Sequence, residues 1–66
     1  MSEPVNGPVT CVYRAYEDGV LIATGRLMLD GIPEVGEEVP LNGRAHVVRA
    51  VDFGGGEHVV TLEPRT

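Results

Sequence analysis

His46, His58 and Cys11 carry the widest chemical repertoire in this chain. Imidazole and thiolate can hold a metal or form a nucleophile–base pair. Their spacing supports neither. Zinc ligands come in close pairs, whereas Cys11 and His46 are 35 residues apart and the two histidines 12. Both histidines sit in alternating, Val-rich segments and read as strand residues. Cys11 alternates with Val9 and Tyr13, which puts it on a buried face, where a free cysteine behaves as a small hydrophobe. Gly54-Gly55-Gly56 lacks the following helix and the lysine of a phosphate cradle, so it reads as a hairpin tip. No carboxylate pair is framed by a cleft, which a chain this short rarely encloses. The expectation is a non-enzyme with no catalytic residue, no metal and no cofactor.

Charge narrows the partners. Ten Asp and Glu against five Arg, with no Lys, give a formal charge of -5. Such a surface repels phosphate backbones, which argues against a nucleic-acid binder. Glu34, Glu37 and Glu38 form an acidic docking patch for a basic partner. The absence of lysine beside much Gly, Val, Ala and Arg points to GC-rich codons, as in an actinobacterium or its phage. No apolar run approaches the ~20 residues of a membrane span, so no membrane partner is expected. The N-terminus has no basic region followed by an apolar core, so no signal for secretion is recognisable. The expected location is the cytoplasm or the interior of a virion. The lone Cys11 excludes a disulfide within the chain and fits a reducing compartment.

The elements that position these residues are set by turns. Gly19, Gly31, Gly43 and Gly55 recur every 12 residues, three of them after Asp18, Asp30 and Asn42. Between them lie short apolar runs, the pattern of a small all-β domain. The spacing predicts a flexible lead-in over 1–8 and one domain over 9–64, with strands at about 9–16, 20–29, 38–41, 44–53 and 57–63. Pro33, Gly36 and Pro40 make the third stretch an irregular loop into a short strand. A three-residue Glu17-Asp18-Gly19 loop pairs Ala15 with Leu21, Tyr13 with Ala23, Cys11 with Gly25 and Val9 with Leu27. A two-residue turn would carry Arg26 to the face of Tyr13 and Cys11, so the core pattern favours the longer loop. With Gly54-Gly55-Gly56 as the last loop, Val48 faces Leu62, Ala50 faces Val60, Asp52 faces His58 and His46 lies near Pro64.

Val35-Gly36-Glu37-Glu38-Val39, then Leu41-Asn42-Gly43 and a Val-rich hairpin, resembles the second half of small SH3-like barrels. The likeness covers about residues 33–64 and implies a five-stranded antiparallel barrel. It implies no proline-peptide binding, because the tryptophan of that groove is missing. The registers leave apolar residues over. Val47, Val51, Phe53 and Val59 fall opposite the core in the last hairpin, and Val12, Tyr16, Val20, Ile22 and Met28 do so in the first. Contiguous exposed apolar area marks an interface. The expected function is a non-catalytic protein-interaction or structural module, an accessory or virion protein. It would self-associate or dock on a protein partner through Val47, Val51, Phe53 and Val59. The alternative is an acidic inhibitor that mimics nucleic acid and fills a basic protein site.

Overall fold

The computed structural model describes residues 8–65; the expected lead-in, Pro8 excepted, lies outside them. Five strands follow in chain order: β1 (Val9–Glu17), β2 (Val20–Leu29), β3 (Glu38–Leu41), β4 (Arg44–Gly54) and β5 (Glu57–Pro64). Three tight turns join the hairpins. Asp18 and Gly19 have φ of 54° and 78°, Asn42 and Gly43 54° and 77°, and Gly55 and Gly56 61° and 79°. Two successive positive φ values are the signature of the two-residue hairpin turn whose twist matches that of its strands. Asp, Asn and Gly are the residues that reach that conformation cheaply.

The strands form one sheet in the order β2-β1-β5-β4-β3, curled into a half-barrel. The sheet is mixed, which corrects the expectation of a purely antiparallel barrel. The cause is a count of directions. Each connection reverses the chain, so β1, β3 and β5 run the same way. Placing β1 beside β5 therefore makes that pair parallel, with Tyr13 opposite Val60. The ring also stays open, because β2 and β3 are the two outer strands and do not pair. The connection at 30–37 leads from β2 to β3 and is tied to β4, where the Gly36 N–H donates to the Val48 carbonyl at 2.8 Å and the Val48 N–H to that of Glu37 at 2.9 Å.

Both long hairpins depart from the expected register for one reason. Asp18-Gly19 is a two-residue turn, with Glu17 opposite Val20 and Tyr16 opposite Leu21. A bulge then follows: Ala15 pairs with Ala23, and Ile22 is the extra residue. Beyond it Tyr13 faces Gly25, Cys11 faces Leu27 and Val9 faces Leu29. The bulge keeps Arg26 off the core face, as a three-residue loop would. In the last hairpin Gly55-Gly56 is the turn, and Phe53, Asp52, Val51 and Ala50 face His58, Val59, Val60 and Thr61. A second bulge at Arg49 restores Val48 to Leu62 and His46 to Pro64.

The concave face carries the core. Cys11, Ala15, Val39, Leu41, Val48, Val60 and Leu62 are buried, with Val9, Tyr13, Ala23, Leu27, Leu29 and Val51 packed against them. One row across four strands runs Gly25, Tyr13, Val60, Val51. The Tyr13 ring lies over Gly25, where an added Cβ would stand 2.9 Å from its Cε2. Glycine in mid-strand is thus the space that lets the ring lie flat against β2.

Candidate functional site

The residues singled out for chemistry are placed apart. Cys11 is fully buried in the core, and burial pushes its thiol above the ordinary value of 9.0. Desolvation penalises the thiolate, the reactive form. In the fold this group keeps its proton after the unfolded chain has lost it. Its share of the stability is therefore complete below pH 9.0 and falls as pH rises from there toward the folded value. Two results are expected. Ellman's reagent reacts with Cys11 at the rate of unfolding and not at the rate of a free thiol. Cys11→Ala flattens the alkaline limb of a urea-midpoint profile, and an unchanged slope would show that the thiol is not the group lost there.

His46 is buried at 4% exposure, and its Nδ1 lies 2.9 Å from the Arg44 carbonyl oxygen. With that nitrogen donating, the imidazole ties β4 back onto its own turn. His58 faces Phe53 instead of Asp52, and the two rings meet edge-to-face at 4.7 Å. The histidines lie in different cross-strand rows. Among the described residues no three His, Cys, Asp or Glu side chains gather as a metal site.

The four residues expected to form an interface do not share a face. The bulge at Arg49 turns Val51 inward, against Val60 and the core. Phe53 is on the same inner side but beyond the end of the core, at the β4–β5 tip, and is 66% exposed. Val47 and Val59 lie on the convex side and are half-buried. Val59 is flanked by Val12 and Asp52, and Val47 by Glu38 and Glu63. The convex side is laced with ion pairs: Arg26 with Glu57, Arg49 with Glu63 at 2.8 Å, and Arg65 with Glu38. Arg44 approaches Glu17 at 3.7 Å. Four of the five Arg residues are thereby engaged with carboxylates. Exposed pairs of this kind contribute little stability.

The acidic patch is partly built into the structure. The Glu37 side chain accepts a 2.8 Å bond from the Glu34 N–H, and the Glu34 carbonyl accepts one of 3.0 Å from the Glu37 N–H. Gly36, at φ 96°, closes this turn. Glu38 pairs with Arg65. Glu34 alone of the three has no such partner among the described residues.

What the structure brings together, and residue patterns did not show, is an open seam between β2 and β3. At one end a groove of about 350 Å³ is bounded by Leu29, Asp30, Ile32, Pro33, Glu37 and Val39. At the other a groove of about 180 Å³ runs between Ile22 and Ala23 on one side and Leu41 and His46 on the other. The two strands flanking the seam differ. β3 has four residues, contains Pro40 and carries the Glu38–Arg65 pair, all features that discourage pairing at an edge. β2 has ten residues, no proline and one charge. That charge, Arg26, is turned to the convex side and held by Glu57. Val20, Leu21, Ile22 and Met28 on β2 are all exposed, Met28 at 70%. The sequence contains these residues, but strand order decides that β2 is an edge, and strand order is not a local signal.

The class so defined is a small all-β domain with a mixed, curled five-stranded sheet and one unguarded edge. The chain matches no family model, no curated protein and no solved structure.

Proposed function

We propose that this chain is a non-catalytic protein-interaction module that docks by strand addition at the β2 edge. One observation carries the reading: among the described residues β2 is long, apolar and unpaired on its outer side, while β3 has the features that block pairing. An exposed strand edge presents a row of free N–H and C=O groups, a template for a strand from another chain. The SH3-like likeness of residues 33–64 belongs to this proposal, as does the origin in a phage or actinobacterium that a lysine-free, GC-rich composition supports. The docking surface moves from Val47, Val51, Phe53 and Val59 to the strand that carries Val20, Ile22 and Met28. The acidic mimic of nucleic acid is the second reading. It draws on Asp30, Glu34, Glu37 and Glu38, which gather near the 30–37 connection.

The test compares the wild-type chain with an Ile22→Lys/Met28→Lys variant, two exposed positions where lysine guards the edge. Light scattering reads self-association, and affinity capture followed by hydrogen exchange reads partner binding. The expected result is a complex that protects β2 amides and that the lysine variant loses. A wild-type chain that is monomeric and captures nothing beyond what the variant captures overturns the reading. A complex insensitive to the lysines but broken by salt transfers the case to the acidic mimic.

A further inference from the structure

The two ends of the seam differ in charge, and that difference selects an occupant. The larger groove is lined by the carboxylates Asp30, Glu37 and Glu38, of which Glu38 is paired with Arg65 and no Arg lines the groove itself among the described residues. Beneath the carboxylates the floor is apolar: Leu29 is half-buried, and Pro33 and Val39 are buried. Ile32 stands exposed beside them. Resting on the strand-addition reading above, we infer that the seam takes an extended segment of a different protein, one that alternates apolar residues with Lys or Arg. The segment pairs with β2 as a sixth strand. Its apolar side chains fall toward Leu29 and Val39, and its cations meet Asp30 and Glu37.

Strand geometry supplies the alternation. Successive side chains point to opposite faces, so one face of an added strand enters the seam and the other meets solvent. Below the Ile22 bulge, Thr24–Leu29 is a regular stretch of edge with no further irregularity. Complementary charge then sets which segment docks and in which direction. A second copy of this chain supplies the charge poorly. Its formal charge is -5, and its own β2 brings only Arg26, already held by Glu57. The remaining Arg residues are dispersed, and three of those four are paired. The occupant is therefore a foreign segment.

The probe is a fluorescein-labelled peptide alternating Val with Lys, and its control has every Lys replaced by Glu. Anisotropy against the full chain at low salt is expected to show the Lys peptide binding roughly tenfold or more tightly than the Glu peptide. Amide shifts are expected along Thr24–Leu29. Asp30→Asn, which breaks no bond within the described chain, is expected to weaken the Lys peptide about threefold, and Asp30→Asn/Glu37→Gln roughly fivefold. Equal affinity for the two peptides overturns the inference, as do shifts confined to the convex side. A dimer whose β2 amides are already protected without peptide also overturns it, since a second copy then fills the seam. If the Lys peptide fails while the β2-dependent complex of the preceding test persists, the basic-segment inference falls and strand addition stands. If neither appears, both fall.

Discussion

Leu62→Ala is expected to lower the stability of this domain by roughly 3 kcal/mol, the middle of the range for deleting a buried leucine side chain. Leu62 is fully buried and the largest side chain in that class. It sits at the centre of the sheet, on β5, between Ala15 of β1 and Val48 of β4. Neither neighbour is long enough to refill the space, and β5 is paired on both sides, so the walls have little freedom to collapse. The size of the chain makes the loss decisive. At about 0.05–0.15 kcal/mol per residue, a domain of this length has roughly 3–10 kcal/mol in total. The variant is therefore expected to be about half unfolded in water at the low end of that range and to show a urea midpoint shifted by about a molar unit or more at the high end. Met28→Ala removes a comparable side chain from an exposed position and is expected to change the stability by less than about 0.5 kcal/mol. Similar shifts for the two variants would mean that β5 does not hold the core.

Much of this arrangement could be read from residue types. The five strands fall within one residue of the spans that turn signals and alternation imply, because Asp18-Gly19, Asn42-Gly43 and Gly55-Gly56 are local devices that act through their own backbone preferences. The inward placement of Cys11, Tyr13, Val48 and Leu62 was legible for the same reason. Two bulges were not. A pattern with period two fixes which residues share a face only while the ladder is continuous, and one extra residue exchanges the faces beyond it. For β1–β2 the core pattern still gave the correct face, because Arg26 had to stay out. It misassigned the partners by two positions, since a three-residue loop and a two-residue turn plus the Ile22 bulge satisfy the same constraint. For β4–β5 both faces are apolar, so nothing in the residues marked Arg49 as the break, and Val51 was placed outside. Strand order was hidden as well. The open seam exists because β1 pairs with β5, a contact between the two ends of the described chain. The first cause separates Val51 from the face of Val47 and Val59, and the second makes β2 an edge.

The bulge at Arg49 gives the second large effect, and neighbouring residues should answer in opposite ways. Val51 lies in the inner row with Val60, Tyr13 and Gly25, packed against the core. Val51→Asp would place a carboxylate beside Val60, against the core. None of the ion-paired Arg side chains shares the Val51–Val60 row among the described residues. Removing a charge from water without a partner costs several kcal/mol, and the half-open position of Val51 brings the expected loss to about 3 kcal/mol. Ala50 belongs to the convex row with Thr61 and Arg14. Ala50→Asp would set a carboxylate two strands from Arg14, the one Arg without a carboxylate partner among the described residues, and is expected to stay within about 0.5 kcal/mol of the wild-type chain. A continuous ladder, with Ala50 opposite Val60, demands the reverse order of effects. Urea titration of the two variants therefore decides where the face changes, and with it whether the convex side of the last hairpin has an apolar patch for a partner at all. If Val51→Asp is the damaging change, the β2 edge with Val20, Leu21, Ile22 and Met28 is the long run of exposed apolar strand among the described residues.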